Sequence, residues 1–343
     1  MQSRLDDVFD AAPERTPRFL HVLNGDSTAE GLRQSDVPGT LAVWADVLHE
    51  GPVPPDDDLQ AWLDIRSRFH AGEEGDAGDD RTMAVFRDWQ SALDRFREYD
   101  EVVLWFEHDL FDQLLLIRHL GWWARQDHGR TVLKLICIGE FPGFPDFHGL
   151  GELSPDQLAS LLDTRQTVTQ HQIELGRSAW TAFTAADPTR LEHMLHQDTS
   201  SLPFLAGAIR RVLEEYPAVH TGLPRTERQI LENLLAGPCS PDELFRASAK
   251  REERVFMGDT TFWDRLGLLA SGRVPLVLWD EVKRPGRLAG GVVNISDTGR
   301  RVLDGQDDWI QLSGIDRWIG GVHLEGAGPH WRWDATRNVL VRA

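Results

Sequence analysis

The sequence predicts an α/β protein: an amino-terminal domain with a mostly parallel, Rossmann-like sheet, then a helical segment, a winged-helix-like unit and a small β tail. Three observations indicate this fold class. Apolar, β-rich runs alternate with amphipathic helical patterns over residues 18–150, which is typical of successive βα units. A Pro-, Gly- and Phe-rich stretch at 142–151 then interrupts the alternation. Within residues 222–305, three helical patterns precede two strand-like runs, the order of a winged helix.

The stretch Glu101–Leu120 contains the clearest βα junction. Val102–Phe106 is a continuous apolar run of the length and composition expected for a buried strand. Three ionisable residues follow it, Glu107, His108 and Asp109, and apolar residues then return at helical spacing. In parallel α/β sheets, ligands bind at the edge where the strands end. Because ionisable groups are costly beside an apolar strand, we expect these three to be solvated, paired or used in a site.

Three further predicted strands also end in polar residues. Asn24-Gly25-Asp26-Ser27 follows the first strand, Arg18–Leu23, and we expect Ser27 to cap a short helix there. The second predicted strand is Thr40–Val47 and the fourth is Thr131–Ile138. Since parallel strands end at one edge, their polar residues should converge. The expected sheet-edge set comprises Asn24, Asp26, Ser27, Asp46, His49, Glu50, Glu107, His108, Asp109 and Glu140.

Acids and histidines at one edge suit two kinds of chemistry. They could bind a divalent metal that lowers the pKa of a bound water, or a histidine could act as a general base oriented by a carboxylate. The turn before Ser27 offers backbone N–H groups that suit a phosphate. The metal stays unidentified, and helix caps or turns remain an alternative role for each residue taken singly. The predicted catalytic residues are His108, Asp109, Asp46 and Glu107, and the predicted substrate-binding residues are Asn24, Gly25, Asp26, Ser27 and His49.

Composition limits the class of protein. Hydrophobic residues make up 41% of the 343 residues, which is typical of a globular chain. The formal net charge of −19 argues against broad non-specific binding to nucleic acid. The two cysteines, Cys137 and Cys239, have no cysteine nearby in sequence, so a thiolate zinc site or disulfide framework is not expected. With no apolar signal core and no membrane-length apolar run, we expect a cytoplasmic protein that does not enter a membrane.

Changes in pattern along the chain divide it into five predicted parts. Ser154-Pro155-Asp156 has the form of a helix start and follows the Pro- and Gly-rich boundary. The last residues are rich in Trp and Gly and predict short strands. The parts are a disordered tail at 1–17, the α/β domain at 18–150, a helical segment at 151–221, the winged-helix-like domain at 222–305 and an aromatic β-hairpin tail at 306–343.

The predicted recognition helix of the winged-helix-like domain does not favour DNA. Asp259–Arg265 carries two acids and one arginine, whereas readers of the major groove present Arg, Lys, Asn or Gln to base edges. The basic loop 283–287 is the one stretch here that could contact phosphate as a wing. A protein partner is therefore favoured over nucleic acid, which stays open through that loop.

Six short motifs are spread in order over most of the chain. They are Asn24-Gly25-Asp26-Ser27; Trp44-x-Asp46-x-Leu48-x-x-Gly51-Pro52; Glu107-His108-Asp109 with Asp112-Gln113-Leu114; Leu202-Pro203-Phe204-Leu205; Arg225-Thr226-Glu227-Arg228-Gln229-Ile230-Leu231; and Trp318-Ile319-Gly320-Gly321-Val322-His323-Leu324 with Trp331-Arg332-Trp333-Asp334. Together they resemble a bacterial family catalogued as domain of unknown function 1835. That resemblance implies a relationship and no established activity.

Three functional hypotheses follow. The leading one is an enzyme or small-ligand-binding protein with its site at the carboxyl edge of the first sheet, where a metal-assisted hydrolase or transferase would act on a phosphate- or nucleotide-like substrate. The alternative is a regulatory or adaptor protein that acts through the winged-helix-like domain. A third is an interaction module in which the sheet-edge residues only cap helices.

Overall fold

The computed structural model describes residues 17–72, 76–271, 273–280 and 290–343. The predicted disordered tail therefore lies outside the described residues, except for residue 17. The basic loop 283–287 lies outside them as well.

A five-stranded sheet forms the centre of the first part of the chain. The strands are β1 Phe19–Leu23, β2 Thr40–Val43, β3 Glu101–Glu107, β4 Val132–Ile138 and β5 Gln166–Thr167. Their order across the sheet is β2-β1-β3-β4-β5; the first four run parallel, and β5 is antiparallel to β4. The predicted α/β class with a mostly parallel sheet is confirmed. β2 is shorter than predicted, and the two residues of β5 are too few to leave a periodic signal.

Eight helices belong to this part of the described chain. They are α1 Asp26–Arg33, α2 Leu59–Ala71, α3 Asp76–Asp94, α4 Leu110–Trp123, α5 Pro155–Leu161, α6 Gln170–Phe183, α7 Thr189–Met194 and α8 Leu205–Leu213. The predicted cap at Ser27 is wrong: α1 begins at Asp26, and Gly25 is its N-cap without a side-chain hydrogen bond. The helix α6 begins at Gln170 because Thr169 and Gln172 form a capping box there.

Alternate residues of the strands point to opposite faces of the sheet, and each face has its own core. Leu20 and Val22 join the larger core, to which α2, α3, α4 and α6 also contribute. Leu23, Val103 and Trp105 belong to the smaller core on the other face, with residues of α1 and α5. The sheet is therefore covered on both faces, as a parallel sheet requires.

Residues 223–309, called the helical unit below, form a third core. Its elements are α9 Arg225–Leu234, α10 Pro241–Ala249, α11 Asp259–Ser271, β6 Val277–Trp279, β7 Val293–Ile295 and α12 Asp297–Leu303, and the short α13 Trp309–Ser313 follows. β6 and β7 pair antiparallel. Buried residues such as Ile230, Leu244 and Leu266 pack together and are separate from the other two cores. The order of three helices and two strands is the one the sequence predicts.

The final strands pack on the first part of the chain. They are β8 Ile315–Ile319, β9 Val322–Gly326, β10 Trp331–Asp334 and β11 Val339–Arg342, paired as two antiparallel hairpins. Val322, Leu324 and Trp333 belong to the larger core of the sheet. At the turn, Gly320 has a φ of 57°, and a Cβ there would lie 2.2 Å from the carbonyl oxygen of Phe183, so only glycine fits. In the described part of the chain, no helix combines the length and the apolar character needed to cross a bilayer.

Candidate functional site

The carboxyl ends of β1 and β3 lie side by side where the strand order changes direction. β2 flanks β1 on one side and β4 flanks β3 on the other, so the chain leaves these two strands toward opposite sides. Such a switch point opens the crevice in which α/β proteins bind ligands. Asn24 follows β1 and Glu107 ends β3, and Asn24 Nδ2 donates a hydrogen bond of 3.1 Å to Glu107 Oε1. The structure thus brings two of the predicted residues together.

Three buried carboxylates gather at this point. Glu107, Asp109 and Asp112 each offer one oxygen, and these oxygens all lie within 4.8 Å of one another. The local fold explains the cluster: Asp109 is the N-cap of α4, and its Oδ1 accepts a hydrogen bond of 3.1 Å from the backbone N–H of Asp112. Asp112 turns back to β3, where its Oδ1 accepts from the backbone N–H of Glu107 at 2.9 Å. We call these three residues the carboxylate cluster.

Neighbouring polar groups hold the carboxylate cluster in place. Asn24 Nδ2 also donates to Asp112 Oδ2 at 3.0 Å, so one amide bridges two of the acids. Thr28 Oγ1 donates to Asn24 Oδ1 at 3.3 Å and thereby orients that amide. From the far side, the backbone N–H of Leu150 donates to Glu107 Oε1 at 2.5 Å. The loop after β4 therefore closes over the cluster.

The cluster has no ion-paired counter-charge among the described residues, although the positive charge of Arg254 acts against the rise in the pKa of Asp109. None of its three carboxylates forms an ion pair with any described residue. Burial, and then the neighbouring charge of Asp109, raise the pKa of Glu107 to about 8. Burial raises the pKa of Asp109 to about 7, and burial with two acidic neighbours raises that of Asp112 well above its usual value. Charged carboxylates at this distance need protons or a cation between them, and oxygen ligands are those preferred by Mg²⁺, Mn²⁺ and Ca²⁺.

A cavity of about 1020 Å³ reaches the sheet edge at His108, although the three clustered acids themselves do not line it. His108, between two of the clustered acids in sequence, is in its wall. The imidazole packs on Phe147 at 6.1 Å and on Phe204 at 5.9 Å between ring centroids. Burial, and then the positive charge of Arg254, lower the pKa of His108. Glu140, which the sequence also placed at the sheet edge, is an exposed residue of the same wall.

Asp46 has its partners elsewhere. It is completely buried and accepts hydrogen bonds from Arg66 Nε at 3.0 Å and from His70 Nε2 at 2.7 Å. Both partners belong to α2, so Asp46 anchors that helix to the end of β2. The structure thus does not join Asp46 to the carboxylate cluster, although the sequence predicts it as catalytic.

Three other predicted residues, His49, Asp26 and Ser27, also lie outside the hydrogen bonds of the cluster. His49 is buried against the rings of Phe111 and Phe256, and burial lowers its pKa to about 4. Asp26 and Ser27 are exposed at the start of α1. Both ring nitrogens of His49 are without a hydrogen-bond partner among the described residues, and its role in substrate binding stays a prediction.

Sequence reasoning missed two residues of this region. Asp112 carried a usable signal, because it follows the N-cap Asp109 by three residues, and a side chain at that position can reach back toward the turn before the helix. Arg254 carried none: it belongs to the helical unit, and its Nη1 donates to the backbone oxygen of His108 at 3.2 Å across 146 residues of chain.

Comparison of the chain with models of protein families found no match, and comparison with curated proteins found none either. The resemblance to the family of domain of unknown function 1835 therefore stays a prediction from the six motifs. Function is inferred from the geometry of the carboxylate cluster and the cavity.

Proposed function

We propose that this chain is an enzyme that hydrolyses or transfers a group on a phosphate- or nucleotide-like substrate, with a divalent cation held by Glu107, Asp109 and Asp112. The observation that carries the proposal is the carboxylate cluster itself. Three buried acids converge within 4.8 Å at a switch point and form no ion pair with any described residue. The strand order from β2 to β4 is also that of one doubly wound fold, which supports the Rossmann-like class.

Helix capping alone does not require this arrangement. Asp109 does cap α4, as one of the alternatives from the sequence holds, but Ser or Asn caps a helix equally well without a charge. Three acids that repel one another in a buried site destabilise the metal-free protein. A divalent cation would attract all three carboxylates and so offset their mutual repulsion. Metal binding therefore accounts for the burial of all three acids at one place.

The cation would polarise a phosphoryl oxygen or lower the pKa of a bound water. The residues of the chain would orient the metal ligands and accept a proton. Asn24 and the backbone of Leu150 fix the carboxylate of Glu107 and so orient the acids. His108 lines the cavity and is a group of the right kind to accept a proton from a nucleophile.

Calorimetric titration of the metal-free, full-length chain with Mn²⁺ tests the proposal. We expect one Mn²⁺ per chain and a rise in thermal stability, which at 100 times Kd amounts to about 2.7 kcal/mol. Asp112→Asn should weaken Mn²⁺ binding by about 100-fold or more, since changes even beyond the metal ligands cost about 10–100-fold. Asp156→Asn, an exposed acid in the first turn of α5, is the matched control and should bind like the parent chain.

Turnover is the second readout. Hydrolysis of nucleoside phosphates in the presence of Mn²⁺ should fall in Asp112→Asn in proportion to the lost metal affinity and persist in Asp156→Asn. If millimolar Mn²⁺ gives neither heat nor a shift in melting temperature, or if Asp112→Asn binds it as tightly as the parent, the proposal is wrong.

The second hypothesis, an adaptor acting through the helical unit, has one supporting observation. We infer a winged-helix relationship for this unit from its order of three helices, a hairpin and a further helix. Its α11 does not favour DNA reading, because Arg265 is buried and donates to Glu50 of the first part at 3.0 Å. An arginine held in an internal ion pair does not reach a base edge.

A further inference from the structure

Arg254 brings a positive charge from the helical unit to the sheet edge. It lies between α10 and α11, and it lines both the cavity beside His108 and a second one of about 270 Å³. Its guanidinium lies 5.0 Å from the ring centroid of Phe204, in cation–π geometry, and donates to the backbone oxygen of His108. These two contacts hold the guanidinium of Arg254 at the cavity wall.

The guanidinium of Arg254 still has unused hydrogen-bonding capacity. An arginine carries five N–H donors, and one hydrogen bond to a described residue is observed. The adjacent acids do not neutralise it: Glu252 accepts from Arg211 at 2.8 Å, and Glu253 accepts from Arg225 at 2.6 Å. Among the described residues, Arg254 forms no ion pair of its own.

The rest of the cavity wall suits a nucleoside phosphate. Lys250 is exposed in it and adds positive charge beside Arg254, and His148 is exposed there as a further hydrogen-bonding group. Phe204 offers an aromatic ring on which a base can stack. Glu140 and Asp146 are exposed in the same wall, and carboxylates accept hydrogen bonds from ribose hydroxyls or base amino groups. A volume of about 1020 Å³ accommodates a ligand of this size.

We propose that Arg254 recognises the phosphate of a nucleoside phosphate bound in this cavity, so that the substrate is held jointly by the sheet edge and the helical unit. This inference rests on the proposed function and adds the substrate class and the residue that binds its anion. Arginine suits this role because its planar fork matches two phosphate oxygens at once. Arg254 is thus a substrate-binding residue supplied across 146 residues of chain from His108.

Calorimetry of the full-length chain with ADP and with inorganic phosphate tests it, in EDTA so that no metal contributes. We expect ADP to bind, and Arg254→Gln to weaken ADP binding by about tenfold or more, because hydrogen bonds to charged groups are lost. Arg254→Lys should lie between, since it keeps the charge and loses the fork. Arg246→Gln, an exposed arginine of α10 that lines neither cavity, is the matched control. Phosphate should bind more weakly than ADP, because it lacks the base.

The outcomes separate this inference from the proposed function. Thermal melting of Arg254→Gln, a half-buried position, checks that the variant is folded. If the parent chain binds Mn²⁺ but not ADP, or if Arg254→Gln and Arg246→Gln bind ADP alike, the inference fails and the metal site stands. If Asp112→Asn loses Mn²⁺ and keeps ADP binding in EDTA, both stand. If ADP binds through Arg254 while Mn²⁺ does not bind, the metal proposal fails alone.

Discussion

Asp46 and Arg66 form a buried ion pair that determines the path of the chain after β2. Besides Asp46, Arg66 donates to the backbone oxygens of Val47 at 3.0 Å, Glu50 at 2.7 Å and Pro52 at 3.1 Å. Both side chains are completely buried. One guanidinium thus provides hydrogen-bond donors for three backbone carbonyl oxygens of the turn. Without it, these oxygens would be buried without partners.

Asp46→Asn should lower the free energy of unfolding by about 3–5 kcal/mol, because it leaves the buried charge of Arg66 uncompensated. Urea unfolding at pH 7 measures the change. Asp57→Asn, an exposed aspartate of the same region, should remain within about 0.5 kcal/mol of the parent. An equal effect of the two substitutions would contradict the assigned role.

The same pair predicts a pH dependence. Burial alone would raise the pKa of Asp46, but Arg66 and His70 outweigh burial and hold it well below its usual value. A carboxyl with a lowered folded-state pKa stabilises the protein above its unfolded pKa of about 3.9, and this stabilisation is lost as pH falls from about 5. In Asp46→Asn, the free energy of unfolding should therefore depend less steeply on pH below about 5 than in the parent.

At the scale of single residues, the sequence located the carboxylates of β3 but could not rank the acids. Asp46 and Asp109 both follow an apolar run, and each is a plausible cap or ligand. What separates them is the partner, and Arg66 is 20 residues away from Asp46 on α2. A pairing across that separation leaves no local pattern in the sequence.

At the scale of elements, the loop after β4 completes the carboxylate cluster. Gly149 in this loop has an extended backbone, and a Cβ there would lie 2.4 Å from Glu107 Oε2 and 3.0 Å from Oε1. The glycine is needed for this close approach and not for its φ angle. The loop therefore sets the position of the Glu107 carboxylate.

Gly149→Ala should weaken Mn²⁺ binding by about tenfold or more, because displacing a carboxylate acts like the loss of an outer-shell contact. Gly25→Ala is the control at the same sheet edge, since its backbone is extended and an added Cβ meets nothing within 4 Å. Calorimetric titration of both variants decides the point. Unchanged affinity in Gly149→Ala would show that the loop does not position Glu107.

The four parallel strands were predictable because the apolar pattern of each is local. The predicted run at 102–106 lies in β3, the middle strand of the five-stranded sheet, flanked by β1 and β4. The loop around Gly149 was predicted only as a domain boundary. A Pro- and Gly-rich composition indicates a loop but does not indicate which residues its backbone will contact.

At the scale of the whole molecule, a buried network of charges joins the parts of the chain. Glu215, at the end of α8, accepts from Arg211 at 2.6 Å and also pairs with Arg317 of β8. Arg317 donates to Glu227 of the helical unit at 2.8 Å. Arg265 then pairs the helical unit with Glu50 of the first part, as described above. Such pairs fix relative orientation more than they add stability.

Arg265→Met should lower the free energy of unfolding by about 3–5 kcal/mol, because it removes the buried arginine that pairs with the half-buried Glu50 and lies 3.7 Å from the buried Glu227. We also expect the calorimetric transition to broaden or split, as the helical unit has its own core. Arg300→Met, at an exposed position of α12, is the control and should melt as one transition. A single, unshifted transition in Arg265→Met would contradict the coupling.

The order of parts along the chain was predictable, but their docking was not. The ion pair of Arg265 with Glu50 spans 215 residues, so it depends on how separate cores meet. The same reason explains why Arg254 was not predicted. This residue lies at the candidate site only because the helical unit packs on the sheet edge.

The last strands add Val322, Leu324 and Trp333 to a core begun by Leu20 and Val22, with the whole helical unit intervening in sequence. A chain still emerging from the ribosome therefore leaves the part of the larger core that these residues complete uncovered until its final hairpins have been synthesised. The helical unit, whose core is contiguous in sequence, can meanwhile form early. We therefore expect the larger core to be completed last, after the core of the helical unit has formed.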